Sequence, residues 1–250
     1  MKYLLGLLFV LASLGLFSQE NRYARPDVPG ELMVDVGFSL WSKTVSDLDQ
    51  ALWPSKSVSI YYLRSKKLSE KFRFNYGLGF AVDKIGFQTN VDSIASSSDY
   101  VGLVSDNSGN YSFSGDSASL STVVFEKYSL KNTFVEIPLE LRFHPKGSED
   151  GEGFFLSVGT LLGVRIKSKD KLVSDIDGDT YKTKHSGDFG MANIRYGVQA
   201  RVGWRGIHVF YKQYFNREFR DKISVKTYGD PEGQTFNPTL TTFGINFTGF

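Results

Sequence analysis

The sequence predicts an all-β protein: an eight-stranded antiparallel transmembrane β-barrel with a side-chain-filled lumen, short periplasmic turns and long extracellular loops. Three observations carry that reading. Apolar and polar residues alternate with a period of two, the repeat of a strand with unlike faces. The apolar parity of the clearest segments holds no charge, and Thr160 is its one polar residue. Short and long connections alternate along the chain, as in outer-membrane barrels.

The segments follow in order. In 32–41, Leu32, Val34, Val36, Phe38 and Leu40 share one face, and Met33, Asp35, Gly37 and Ser39 the other. Residues 57–63 carry Val58, Ile60 and Tyr62. Residues 72–83 set Phe72, Phe74, Tyr76, Leu78, Phe80 and Val82 against Arg73, Asn75, Gly77, Gly79, Ala81 and Asp83. The stretch TFVEIPLELRF, 133–143, sets Val135, Ile137, Leu139, Leu141 and Phe143 against Glu136, Glu140 and Arg142. Its Pro138 removes a backbone donor and predicts a bulge or a local gap in the ladder.

Residues 154–167 place Phe154, Leu156, Val158, Leu162, Val164 and Ile166 opposite Ser157, Gly159, Gly163, Arg165 and Lys167. Residues 192–204 place Ala192, Ile194, Tyr196, Val198, Ala200, Val202 and Trp204 opposite Asn193, Arg195, Gln199 and Arg201. Residues 207–215 carry Ile207, Val209, Tyr211 and Phe215 against His208 and Lys212, and 239–247 carry Phe243, Ile245 and Phe247 against Asn246. No segment reads as an amphipathic helix. The short connections are RSKKLSE, HPKGSEDGEG and a turn near Arg205-Gly206; the long ones span 42–55, 88–125, 168–190 and 217–237.

Alternation alone does not say which face points outward, because a lipocalin-like soluble barrel turns its apolar face in. Charge exclusion suits lipid, where a cation at the midplane costs about 2–4 kcal/mol. Bulk decides further: an eight-stranded barrel has an interior just wide enough for side chains. Phe72, Phe74, Tyr76, Phe80, Phe143, Phe154, Tyr196 and Trp204 would overfill it. The opposite parity, rich in Gly, Ser, Asn and charge, fits. Glu31, Asp35, Asp83, Glu136 and Glu140 are thus expected to face Arg73, Arg142, Arg165, Arg195, Arg201 and Lys212 in a water-poor lumen, as structural charges.

MKYLLGLLFVLASLGLFS, residues 1–18, has the layout of a secretory signal peptide: Lys2, an apolar run from Tyr3 to Phe17, and Ser18 at the cleavage point. The run is short for a membrane anchor. The barrel domain then covers 19–250. A net charge of +2 gives no reason to expect a nucleic-acid partner. The absence of cysteine excludes a disulfide framework, a thiolate metal site and a lipoprotein anchor.

Four stretches invite a chemical reading. His185 lies beside Ser186 and Asp188, a set a small outer-membrane hydrolase could use, but nothing in the sequence fixes a triad. DIDGDTY, 175–181, alternates Asp175, Asp177 and Asp179, yet an EF-hand would need a Glu where Ser186 stands. YGLGFA has no helix after its glycines and is not a nucleotide loop. Ser93–Ser121, rich in Ser, Gly, Asn and Asp, reads as a mobile surface loop. No catalytic residue, cofactor or metal is predicted, and the protein is expected not to be an enzyme.

The whole mature pattern resembles the outer-membrane barrel family of Bacteroidota typified by PorT. The resemblance is carried by the signal peptide, FVEIPLELRF, the terminal aromatic, RPDVPGELMVDVGFSLW (25–41) and SKSVSIYYL (55–63). Phe250 departs from it, being out of parity with Phe243, Ile245 and Phe247. The resemblance implies a part in type IX secretion, which exports proteins across the outer membrane and supports gliding motility in some species; it brings no catalytic residues. Because the lumen is too narrow for cargo, the expected role is an accessory or assembly component. It would touch outer-membrane lipid and protein partners of the secretion machinery, in the outer membrane of a Gram-negative bacterium. A structural or adhesion barrel is the second reading, and the hydrolase the third.

Overall fold

A computed structural model describes residues 30–42, 50–88, 102–105, 111–114, 123–146, 153–176, 179–204, 206–227 and 230–248. The signal peptide and Phe250 lie outside them. The described residues form thirteen strands and no helix: β1 (Glu31–Trp41), β2 (Gln50–Lys67), β3 (Phe72–Gln88), β4 (Gly102–Ser105), β5 (Tyr111–Ser114), β6 (Val123–Phe143), β7 (Phe155–Ile176), β8 (Asp179–Ser186), β9 (Ile194–Trp204), β10 (Ile207–Tyr214), β11 (Ile223–Thr227), β12 (Asp230–Phe236) and β13 (Leu240–Thr248).

Eight of them close into an antiparallel ring, β1-β2-β3-β6-β7-β9-β10-β13, with β13 returning to β1. These are the eight segments read as strands in the sequence. β8 folds back on β7, and β12-β11-β5-β4 form a second sheet in which β11 and β5 run parallel.

The register sets the barrel's width. From Leu141, successive partners are Val158, Ala200, Tyr211, Phe243, Phe38, Lys56 and Lys84. The next partner is Lys131, on the starting strand and ten residues further up. That stagger tilts the strands by roughly 40° and leaves an interior that side chains fill.

Alternation assigns the faces. Phe80, Val158 and Trp204 are 57%, 62% and 60% exposed, on the face that meets lipid. Asp35, Glu136 and Glu140 are fully buried on the other face. Inward glycines make room for the packed lumen side chains: a Cβ on Gly163 would lie 3.0 Å from the Cγ atoms of both Arg195 and Glu136.

Pro138 makes a gap and no bulge. Tyr76 pairs with Leu139 and Gly79 with Glu136, so the β3–β6 ladder skips two positions with its register unchanged. The bulge lies higher. Thr133 pairs with Lys167 but Phe134 with Arg165, which leaves Ile166 as an extra residue on β7. That residue reverses parity above it, so Lys167, expected to face inward, is exposed opposite Thr133.

The long connections are shorter than the sequence suggests, because strands run on beyond the apolar belt. β2 starts at Gln50, β3 ends at Gln88, β6 starts at Val123 and β7 ends at Ile176. β4 and β5 fall within Ser93–Ser121, and the rest of that stretch lies outside the described residues. Above the membrane neither face meets lipid, so segments such as KSKDKLVSD lose the two-residue pattern while keeping their ladders.

The extracellular half of the barrel holds an apolar core of its own. Trp41, Ile85, Phe87, Tyr128, Leu130, Phe189, Met191, Tyr214, Phe219, Ile223, Phe236 and Leu240 pack into one buried cluster that reaches down to Leu161. The Trp41 ring lies 5.4 Å from both Phe87 and Phe219.

Candidate functional site

Below that aromatic cap, the lumen is threaded by one connected polar network. Its upper part centres on Arg195 of β9. This guanidinium reaches Asp83 of β3 at 2.5 Å and Glu136 of β6 at 2.7 Å, and lies over the rings of Phe134 and Tyr214 at 3.7 and 4.4 Å. Ser39 donates to Asp83, and Tyr214 donates to Glu136 at 3.0 Å.

The lower part centres on Asp35 of β1. It accepts from Arg201 at 2.9 Å, Lys212 at 2.8 Å and Asn246 at 2.5 Å. Arg201 also reaches Glu140 at 2.9 Å, and Gln199 donates to the same Glu140 oxygen at 2.7 Å. Tyr61 joins the two parts: its hydroxyl donates to Glu136 at 2.5 Å and accepts from Lys212 at 2.9 Å. At the periplasmic end, Arg142 binds Glu31 at 2.8 Å and lies 3.5 Å from Glu140. Arg73 is half-buried opposite Arg142 in the ladder.

Alternation follows directly from the pleat, so the inward positions were readable. Which carboxylate meets which cation was not, because it depends on the stagger of the closed ring. Tyr61, Phe134, Phe210 and Tyr214 were not singled out, although each has inward parity. An aromatic among outward aromatics, such as Tyr61 beside Tyr62, gives no compositional signal.

Arg165 takes a different place. It sits at the bulge and turns upward, donating to the main chain of Met191 and Ala192 and to Asn193, with an ion pair to Asp188. Asp188 also binds Arg220. This clasp, the Met191–Phe219 bridge and the bonds Ala192 N–H to Glu218 O and Glu218 N–H to Pro238 O tie three crossing segments over the mouth. Glu218 is buried there, and burial raises its carboxyl to about 7, with Arg195 partly offsetting the rise.

His208 lies in the lumen, 2.7 Å from Asn246 and against Phe155. His185 is exposed on β8 and contacts Asp170 at 3.3 Å, while Asp188 is engaged by the two arginines. β7 and β8 pair up to Ile176 and Asp179, on either side of Asp177-Gly178. Among the described residues, no group of three His, Asp or Glu side chains is placed to hold a metal ion.

The arrangement supports a plug. Its charges compensate one another within a single shared network, and aromatic rings close the space above.

No curated protein matches the chain. Among solved structures it is similar to Ail, the attachment invasion locus protein of Yersinia pestis. The identity is 9%, over 89% of this chain and 100% of that one, with a TM-score of 0.37. A Rhodopseudomonas blastica porin is similar at 11% identity over 88% and 98%, with a TM-score of 0.17. A family model described as an outer membrane protein beta-barrel domain matches residues 17–224. The chain therefore belongs to the outer membrane protein beta-barrel domain family, and is an outer-membrane barrel of a Gram-negative bacterium.

Proposed function

We propose that this barrel is an accessory component of type IX secretion that acts through contacts with other proteins and not as the export pore. The observation that supports it best is the sealed interior: the network from Arg142 to Asp83 spans the bore, and the Trp41–Phe219–Phe236 cluster lies above it. A plugged barrel moves nothing through itself, so a part in export has to be played at its ends. The PorT-like stretches 25–41 and 55–63 point to this secretion route. The extracellular surface and the periplasmic turns at Leu68–Lys71 and His144–Lys146 are the places for partner contact. The 1–18 leader is removed during Sec export.

The test has two arms. In planar bilayers the purified protein should give no stable conductance steps. In a clean deletion strain, type IX cargo should stay inside the cell while other outer-membrane proteins insert normally. Normal cargo export in that strain removes the secretion reading and leaves a structural or adhesion barrel.

A further inference from the structure

The polar network of the lumen is not evenly charged from end to end. Its upper part sets Asp83 and Glu136 against the single guanidinium of Arg195. Toward the periplasm, Arg142, Arg201 and Lys212 share Glu31, Glu140 and Asp35, and one ladder row then adds two further cations. In that row Lys67 pairs with Arg73, Arg73 with Arg142, Arg142 with Ser157, and Ser157 with Arg201. Tyr61 and Leu63 are buried in the bore, and strand alternation puts Lys67 on the same face. The inward row thus carries four cations and no carboxylate. Adjacent members stand about 5 Å apart at Cβ, and like charges so placed repel.

Two members have capacity to spare. Among the described residues, no carboxylate lies within ion-pair distance of Lys67. Arg142, whose side chain is 6% exposed, gives Nη1 to Glu31 and leaves Nη2 without a hydrogen-bond partner. Arg73, between them, has a contact of its own and adds its charge.

Geometry decides what can reach this row. Glu31, where β1 begins, pairs with Leu63, and β2 runs on to Lys67. Lys67 therefore stands about 13 Å along the strand beyond the start of β1. It is exposed and Arg73 is half-buried, so the row opens to the periplasm. Upward it is closed: Arg142 lies over the Phe155 ring at 4.7 Å, and that ring meets His208 at 4.5 Å. Bilayer lipid meets the other face of these strands. There the Phe72 and Phe143 rings stand 5.1 Å apart as part of an aromatic girdle, and Arg64 and Lys66 share that outward face. An anion at Lys67 has to come up the barrel axis from the periplasm, which suits the end of an extended chain and not a headgroup.

We infer that Lys67, Arg73 and Arg142 form a docking site for an extended, acidic segment of a periplasmic protein. Its carboxylates pair first with Lys67 at the open edge, and the charges of Arg73 and Arg142 lie behind. Acids at alternate positions of such a segment share one face and meet the row together. The site rests on the secretion reading for its partner and deepens it, by naming the chemistry that partner presents.

The test uses the full-length barrel in zwitterionic detergent and a labelled peptide with Glu at alternate positions, read by fluorescence anisotropy. The Glu peptide should bind, and its Gln counterpart should not. Lys67→Gln with Arg73→Gln should weaken binding by roughly tenfold, and Lys67→Gln alone, at the exposed end of the row, by about threefold. Arg64→Gln with Lys66→Gln makes the same charge change on the outward face of the same strand and should leave binding unchanged. Equal binding of the two peptides, no effect of Lys67→Gln, or equal weakening by the inward and outward pairs would overturn the inference. Loss of binding in anionic phospholipid nanodiscs would assign the row to lipid and overturn it too. So would tighter binding after Glu149→Gln, Asp150→Asn and Glu152→Gln, which would give the row to the chain's own β6–β7 connection. Peptide binding with normal cargo export in the deletion strain would remove the secretion reading and keep the site. Cargo retention without peptide binding would remove the site alone.

Discussion

Arg201 of β9 and Asp35 of β1 meet at 2.9 Å across the lumen, both with fully buried side chains. Asp35 also holds Lys212 and Asn246, so one carboxylate ties β1 to its neighbour β13 and to β10 and β9 beyond it. Removing one member of a buried charge set leaves the others uncompensated, at a cost of about 3–5 kcal/mol. Asp35→Asn should lose stability on that scale, measured by urea unfolding in vesicles, and should lower the temperature at which the unboiled band converts to the boiled one on SDS gels. Glu31→Gln, whose side chain is partly exposed at the periplasmic end, should cost much less.

The lipid face gives the second prediction. Val198 is 40% exposed on the outer surface of β9. Val198→Arg puts a cation into hydrocarbon and should destabilise the folded barrel by about 2–4 kcal/mol at mid-depth, while Val198→Leu should be neutral. Tryptophan fluorescence during urea titration in vesicles reads both.

Gly163 tests how closely the bore is packed. With a Cβ already at 3.0 Å from the stems of Arg195 and Glu136, Gly163→Val should push that ion pair apart. The expected loss is about 1–3 kcal/mol, the range for overpacking. The neighbouring outward change Thr160→Val, which only alters what lipid sees, should leave unfolding unchanged or slightly improved.

Glu218 makes the extracellular cap sensitive to pH. Its carboxyl titrates near 7 when folded and near its ordinary 4.5 when unfolded. The folded state therefore holds the proton more tightly. The resulting stability is fully present below about pH 4.5 and is lost as pH rises through about 7. Unfolding of the cap, followed by fluorescence of the buried Trp41, should need less urea at about pH 8 than at about pH 5. Glu218→Gln should flatten that difference. An unchanged pH profile in the variant would show that another group sets it.

Much of this architecture could be read from residue order, because lipid imposes a strict rule on one face of each strand. Val135, Ile137, Leu139, Leu141 and Phe143 could hardly be placed otherwise. The rule stops where lipid stops. The upper parts of β6 and β7 keep their hydrogen bonds, but their side chains face water or protein, and alternation no longer marks them. Lys167 departs from its expected inward place for a related reason: one extra residue at Ile166 reverses parity without leaving a trace in composition.

The candidate site was legible as a set of positions and not as a set of pairs. Glu136, Glu140, Arg195 and Arg201 are inward by parity, but their partners depend on the stagger of the whole ring. Arg165 has the same parity and serves the mouth instead. Parity also makes Gln199 look tolerant. In the folded protein its amide donates to Glu140 and accepts from Arg201 at 2.9 Å, so Gln199→Arg would crowd a second guanidinium beside the first.

The extra residue at Ile166 also decides where the ring stops being a ring. β7 leaves β9 just below it, at Val164 opposite Ile194, and above it pairs with β8. A closed barrel has no free border, but among the described residues the sheet that projects from this one does, and β8 is its outermost strand. Such a border can recruit a stray strand from another molecule. β8 carries Lys182 and Lys184, both exposed, and is eight residues long. Shortness and positive charge are the ordinary defences against that kind of templated aggregation. The fold thus lets its wall grow past the membrane on one side only, and ends that wall in a strand that discourages further pairing.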